Sequence, residues 1–271
     1  MPISSPDFSF IQTLVRERSA IVLEPGKEYL AESRLAPVAR SAGLGGIGEL
    51  VARLRQEPRG QLTEKVIEAM TTNETSFFRD VHPFEALRTN LLPELMKARG
   101  KERTLNVWCA ASSSGQEPYT IAMIMRESIP ALVEWRLRFI ATDISQEMLR
   151  RSRDGIYSQL EVNRGLPAKY LVKYFEKRGT DWQIKADLRS MIEFKELNLI
   201  QGWPAMPPLD IVFIRNVLIY FDLPTKRTIL GRIRQAMHPG GYLFLGGAET
   251  TLSIDENFKR EQAGPSWCYR L

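Results

Sequence analysis

Val107-Trp-Cys-Ala-Ala-Ser-Ser-Ser-Gly-Gln-Glu-Pro-Tyr-Thr-Ile-Ala-Met123 decides the fold. It begins inside an apolar segment, Thr104 to Ala110, bounded by polar residues, which predicts a buried strand. Ala111 to Gly115 are all small, so a ligand can come close to the backbone there. A helix should start near Glu117, with Pro118 in its first turn, where a missing N–H costs nothing. Strand, small-residue turn and helix in this order open a nucleotide-binding α/β sheet. Ala110 or Ala111 stands where the first glycine of the full fingerprint would be, so a plain buried strand and helix also fit the stretch taken alone.

Downstream, Arg138-Phe-Ile-Ala-Thr-Asp-Ile144 predicts a second buried strand, with Asp143 at its carboxyl end and Ser145 as a helix cap. An acid at that place, one βα unit after the turn, can accept both ribose hydroxyls of an adenosine; the alternative is a cap or turn residue. From Gly155 to Glu196 the βα rhythm breaks. Leu166 to Phe175 predicts a short helix, and Trp182 to Ala186 and Met191 to Glu196 predict two strands split by a polar turn. This reads as a small antiparallel subdomain inserted at about 156–196. Leu209 to Ile214 is then a buried strand ending in Arg215-Asn216, on the same edge as Asp143. Val217 to Asp222 follows, then a helix carrying Ile229, Leu230, Ile233 and Met237. His238-Pro-Gly-Gly241 predicts a tight turn or hairpin into Tyr242–Leu245, and Ser266 to Arg270 a last strand.

Upstream, residues 1–70 predict a helical N-terminal domain. Ser5-Pro6 is a cap-like start, Phe10, Ile11, Leu14 and Val15 share a face, and a second helix runs from Pro25 to Ala42 with Gly43 as its stop. Ile47, Leu50, Val51 and Leu54 mark a third helix, ended by Pro58-Arg-Gly60, and Leu62, Val66, Ile67 and Met70 a fourth. Arg34, Arg40, Arg53 and Arg55 fall on polar faces, which are either solvated surface or a docking face for an acidic helical partner. Residues 71–90 read as a linker between helical regions, but a plain connection would not spend adjacent aromatics, Phe77-Phe78, beside Arg79; a helix end pinned by Phe side chains also fits. His82 to Ala98 is helical again, and 91–271 is the sheet domain.

Composition excludes several classes. A net charge of +5 over 271 residues, with no concentrated Lys/Arg block, argues against nucleic acid and suits an acidic partner surface. Cys109 and Cys268 lie in apolar strands and read as core thiols of a reducing compartment. Two histidines without a Cys/His cluster give no metal site. No apolar run is long enough to span a membrane, so a cytoplasmic protein is expected. The incomplete glycine fingerprint, the missing second mononucleotide half and the Pro-Gly-Gly turn argue against a dehydrogenase and for a methyltransferase that uses S-adenosylmethionine.

The sequence resembles the CheR family of chemotaxis receptor methyltransferases. Thr71-Thr-Asn-Glu-Thr-Ser-Phe-Phe-Arg79, Ala110-Ala-Ser-Ser-Ser-Gly-Gln-Glu-Pro-Tyr119, Ala141-Thr-Asp-Ile144, Asn198-Leu199 and Ile214-Arg-Asn-Val-Leu-Ile-Tyr-Phe-Asp222 carry the resemblance, in family order over nearly the whole chain. It implies a doubly wound methyltransferase fold with an inserted antiparallel subdomain behind an α-helical domain. It implies methyl transfer from S-adenosylmethionine to glutamates of methyl-accepting chemotaxis receptors, giving glutamyl γ-methyl esters and S-adenosylhomocysteine. By the same resemblance, Asn73, Thr75 and Arg79 line the cofactor, Glu117 faces its amino group and Asp143 its ribose. Asn198 and Leu199 flank the adenine, Arg215 and Asn216 close the pocket, and Arg79 and Tyr220 lie nearest the methyl. Some members grip a peptide at the receptor's C-terminus with the inserted subdomain. The compact segment Arg178 to Arg189 implies that no such pentapeptide tether is needed here, and a monomer is expected. The alternatives are a methyltransferase acting on another protein or a small carboxylate, and a non-catalytic receptor-binding module. A nucleic-acid methyltransferase lacks support, since no Asn/Asp-Pro-Pro-Tyr or Pro-Cys motif occurs.

Overall fold

Ser4 starts the first helix: its hydroxyl accepts the Asp7 amide at 3.3 Å, and Pro6 lies in the first turn, both features that favour an N-terminus. A computed structural model describes residues 3–129 and 134–271. In it α1 (Ser5–Ser19), α2 (Glu28–Ser41), α3 (Ile47–Gln56) and α4 (Gln61–Met70) follow one another. Their predicted stripes are buried, among them Ile11, Leu35, Leu50, Leu54, Val66 and Met70. Each such side chain contributes about 1.5–3 kcal/mol when withdrawn from water. α2 begins at Glu28, not Pro25, because Pro25 and Gly26 form a turn with Gly26 at φ 84°. α3 stops at Gln56, ahead of Pro58. Arg34 donates to the Met70 and Thr71 carbonyls at 2.8 and 3.0 Å, closing the end of α4, and Arg55 pairs with Asp7 at 3.3 Å. Two of the four arginines on the polar faces therefore serve the helices' own packing, while Arg40 and Arg53 are exposed.

These helices cluster with Tyr220–Thr225 into one unit; Asn73–Ile219 and Lys226–Leu271 form the other. Inside the first unit the Tyr220 carbonyl accepts the Val22 amide at 3.0 Å, and Asp222 pairs with Arg16 at 2.8 Å.

The second unit opens with α5 (His82–Ala86), a π turn at Leu87–Leu91 and α6 (Leu92–Ala98). Then come β1 (Thr104–Ala110), α7 (Gln116–Ser128), β2 (Arg136–Asp143), α8 (Gln146–Asp154), β3 (Ile156–Tyr157), α9 (Gln159–Asn163), α10 (Ala168–Tyr174), β4 (Phe175–Arg178) and β5 (Asp181–Ile184). α11 (Ala186–Arg189), β6 (Ile192–Glu196), β7 (Leu209–Ile214), α12 (Leu223–Ala236), β8 (Met237–Leu245), β9 (Lys259–Ala263) and β10 (Ser266–Arg270) complete it. Among the described residues the main sheet runs β6-β2-β1-β7-β8-β10-β9. β6, β2, β1, β7 and β8 are parallel, and β10 is antiparallel to both its neighbours. The order reverses at β1, between β2 and β7, so a crevice lies at the carboxyl ends of those strands. Phe84, Phe213 and Phe244 stack in series, at 6.0 and 4.4 Å between centroids, and pin α5 onto the sheet.

Two sequence expectations need correction. The small antiparallel sheet is β3-β5-β4; Met191 to Glu196 does not belong to it, since Ile192–Glu196 is the parallel edge strand beside β2. Its alternation, with Ile192 and Phe194 buried and Glu193 and Lys195 exposed, mimics a half-buried antiparallel strand, because an edge strand of a parallel sheet also wets one side. Ala186 starts α11, and the partner of β5 is Phe175–Arg178, so the helix expected over Leu166 to Phe175 gives way to strand at Phe175. Second, His238 to Gly241 is not a separate turn or hairpin but the irregular start of β8. A Cβ on Gly241 would lie 2.9 Å from the Leu209 and His238 carbonyl oxygens, so glycine there permits close strand approach. The hairpin is β9–β10, whose first strand is masked in sequence by Lys259, Arg260 and Glu261. Within Val217 to Asp222, Leu218–Tyr220 forms a 3-10 turn.

Candidate functional site

Hydrogen-bond register sets the site. Ala110 pairs with Thr142 on one side and Ile214 on the other, and Thr142 pairs with Lys195. Four strands therefore end in one row, and the next residues, Ala111, Asp143, Glu196 and Arg215, stand together at the carboxyl edge. The turn after β1 is tightly wound: Ala111 and Ser113 take φ 52° and 50°, and Gly115 φ 94°. A Cβ on Gly115 would meet Ser152 Oγ at 2.9 Å and Tyr157 Oη at 3.0 Å.

Asp143 is buried, and its two oxygens accept the Ser113 and Ser145 amides at 2.8 and 2.9 Å. Ser145 also caps α8 by accepting the Met148 amide, as expected, and Asp143 fixes the turn beside it. The Ser113 hydroxyl donates to the Asn73 carbonyl at 2.8 Å, which ties the 71–79 motif to the turn. The Leu197 amide donates to the Asp143 carbonyl at 3.0 Å, carrying Asn198 and buried Leu199 to the same edge. Asn73 and Thr75 line a pocket of roughly 230 Å³ with Ser114, Gln116, Arg151 and Arg164.

Glu117, in the first turn of α7, is buried. Its Oε2 accepts Arg215 Nη1 at 2.5 Å, and its Oε1 accepts the Cys109 thiol at 3.3 Å. Burial first, and then the Glu117 charge, push the Cys109 thiol well above its ordinary range. Arg215, with a side chain 1% exposed, reaches the other way to Asp80 Oδ2 at 2.5 Å and the Arg79 carbonyl at 3.2 Å, under the Phe84 ring. The Arg79 guanidinium donates to the Glu74 carbonyl at 2.8 Å. Asn216 has φ 58°, and its amide donates to Glu249. Tyr220 groups with the helical unit, apart from the unit that holds the other predicted site residues.

Asp80, Ser113 and Glu249 escaped the sequence reading. Asp80 and Ser113 lie inside quoted or adjoining motif residues, so the signal for them was proximity to Arg79 and to the small-residue turn. Glu249 is 33 residues from Asn216 and carries no local signature.

The reversal at β1, the small-residue turn and two buried carboxylates, Glu117 and Asp143, above the strand ends define an S-adenosylmethionine methyltransferase domain. This chain belongs to the CheR methyltransferase family. Residues 73–265 match the family model described as CheR methyltransferase, SAM binding domain, and residues 6–71 the one described as CheR methyltransferase, all-alpha domain. The chain is 41% identical to chemotaxis protein methyltransferase 1 of Pseudomonas aeruginosa, covering 100% of this chain and 99% of the relative. It is 39% identical to chemotaxis protein methyltransferase Cher2 of Pseudomonas putida, again over 100% and 99%. The Escherichia coli chemotaxis protein methyltransferase is 33% identical over 95% of this chain and 89% of its own.

Proposed function

We propose that this chain transfers a methyl group from S-adenosylmethionine to glutamate side chains of chemotaxis receptors, forming γ-methyl esters. The observation that carries the reading is that Asp143 and Arg215 stand in one row of strand ends with Glu117 of α7 paired to Arg215, in the segment matched to the family's cofactor-binding domain.

The residues fit that cofactor. A buried carboxylate at Glu117 suits an amino group, and one at Asp143, at the carboxyl end of β2, suits ribose hydroxyls. The Ser112 hydroxyl in the same turn is buried without a hydrogen-bond partner, so a polar donor or acceptor is available to a ligand. When bound, S-adenosylmethionine supplies an electrophilic methyl on a sulfonium sulfur. Asn73 and Thr75 would flank it from the motif segment, Asn198 and Leu199 would border the adenine, and Arg215 and Asn216 would close the edge. A substrate glutamate has an ordinary pKa near 4.3 and is ionised at pH 7, so the chain supplies no general base. Its task is orientation, which can lower a barrier by up to about 7–11 kcal/mol in ideal cases. Arg79 would steer a carboxylate, and Tyr220 would shape the methyl pocket.

The partner is a receptor's cytoplasmic helical region, met in the cytoplasm by a monomer. No described helix is long and apolar enough to cross a membrane. A tether is not required: β4 and β5 are joined through only Gly179 and Thr180, which leaves little loop to wrap a peptide.

Radiolabelled methyl transfer to receptor cytoplasmic fragments tests the function. Base-labile label on glutamates is expected, and its absence with every fragment would refute it. Arg79→Ala and Tyr220→Phe should each lower kcat; wild-type turnover in both would remove them from the site. Micromolar binding of a receptor tail peptide would overturn the tether reading.

A further inference from the structure

Glu117 is bound to a cation already, and that raises an electrostatic problem. With Arg215 Nη1 at 2.5 Å, the two form a neutral pair, and a neutral pair attracts an incoming ammonium weakly. The geometry points to Asp80 as the positioning residue that resolves this: by sharing Arg215, it leaves Glu117 net negative toward the cofactor's amino end. Asp80 Oδ2 takes Arg215 Nη2 at 2.5 Å, so the chain Asp80–Arg215–Glu117 carries two carboxylates and one guanidinium. Arg215 is buried and Glu117 nearly so, which lets that surplus charge act with little screening. Asp80 itself remains half-exposed.

The backbone supports the assignment. Phe78, Asp80 and Val81 adopt φ 50°, 68° and 47°, and a non-glycine residue in this region costs on the order of 1–2 kcal/mol. Such conformations persist only when their surroundings hold them. Here the Phe78 amide donates to Thr120 Oγ1 at 3.2 Å, the Phe78 ring lies against Tyr170 at 4.9 Å, and Arg215 takes the Arg79 carbonyl. The twisted segment presents the Asp80 carboxylate to Nη2 of Arg215 while Glu117 takes Nη1, and the guanidinium lies over the Phe84 ring. The inference deepens the reading above and rests on Glu117 receiving the amino group.

Calorimetry on the full chain tests it with S-adenosylhomocysteine and with 5′-methylthioadenosine, which keeps the adenosine and sulfur but has no amino-acid end. Asp80→Asn should weaken S-adenosylhomocysteine about tenfold and methylthioadenosine less than about twofold. In a Glu117→Gln background, adding Asp80→Asn should cost less than about twofold, because the two residues act through one charge. Asp80→Glu should recover most of the affinity. Equal losses for both ligands, an additive double variant, or wild-type affinity in Asp80→Asn would overturn the inference. If the wild-type chain itself fails to bind S-adenosylhomocysteine, the cofactor reading falls first, a result distinct from wild-type binding with an indifferent Asp80.

Discussion

Asp143 accepts the Ser113 amide at 2.8 Å, joining the end of the second strand to the turn after the first. The same carboxylate accepts the Ser145 amide at 2.9 Å, so it holds two buried donors at the strand end where the ribose is proposed to sit. Asp143→Ala should therefore weaken S-adenosylhomocysteine by about 100-fold, and Asp143→Asn by about tenfold, from the cost of leaving buried donors unpaired. Calorimetric titration gives both numbers. Wild-type affinity in the alanine variant would dismiss the ribose role.

Gly115 is held at φ 94° with no room for a side chain. Gly115→Ala meets both left-handed strain and the Ser152 and Tyr157 oxygens. It should destabilise the protein by about 2–3 kcal/mol, lowering Tm by roughly 4–10 °C for a chain of this size. Differential scanning calorimetry checks it, and an unchanged Tm would mean the turn can relax.

The two strands that decide the topology were legible because each is a bounded apolar run, Thr104 to Ala110 and Leu209 to Ile214, ending in residues with evident chemistry. Asp143 could be read for the same reason. Ile192–Glu196 could not be assigned to its sheet, since its alternation reports one wet face and says nothing about which neighbour it bonds. Lys259–Ala263 was hidden by charges that suit an exposed edge. In the site, Glu117 and Arg215 were readable as single residues from motif order. Their pairing with each other, and Asp80 as the third member, were not, because the partners are 98 and 135 residues apart.

Glu249 fixes the loop after the fourth parallel strand. Its carboxylate accepts the amides of Asn216, Val217, Ile219 and Gly246 at 2.7–3.3 Å. Glu249→Gln leaves one oxygen and turns an amide NH2, a donor, toward the former donors, which should cost about 2–3 kcal/mol. Hydrogen exchange should accelerate at residues 216–219 while the amides of the preceding strand keep their protection. Uniform acceleration across the sheet would indicate global loosening instead.

Asp255 provides a pH test. Its burial raises the carboxyl pKa, but the Asn257 and Arg234 hydrogen bonds outweigh this and hold it below the ordinary value. With the folded pKa depressed, its stabilisation is fully present above the unfolded value near pH 3.9 and is lost as pH falls through the folded pKa. The Tm difference between wild type and Asp255→Asn should be constant from about pH 6 to pH 5 and shrink below about pH 4. A difference that grows on acidification would reverse the sign and refute the assignment.

The common row of strand ends is built from main-chain pairing, Ala110 with Thr142 and Ile214 and Thr142 with Lys195. Side-chain identity at these four places is therefore freer to drift than strand length. A single residue inserted or deleted within β2 or β7 would carry Asp143 or Arg215, respectively, to the opposite face of the sheet. Indels should accumulate instead in the stretch 201–208, where they leave that row untouched.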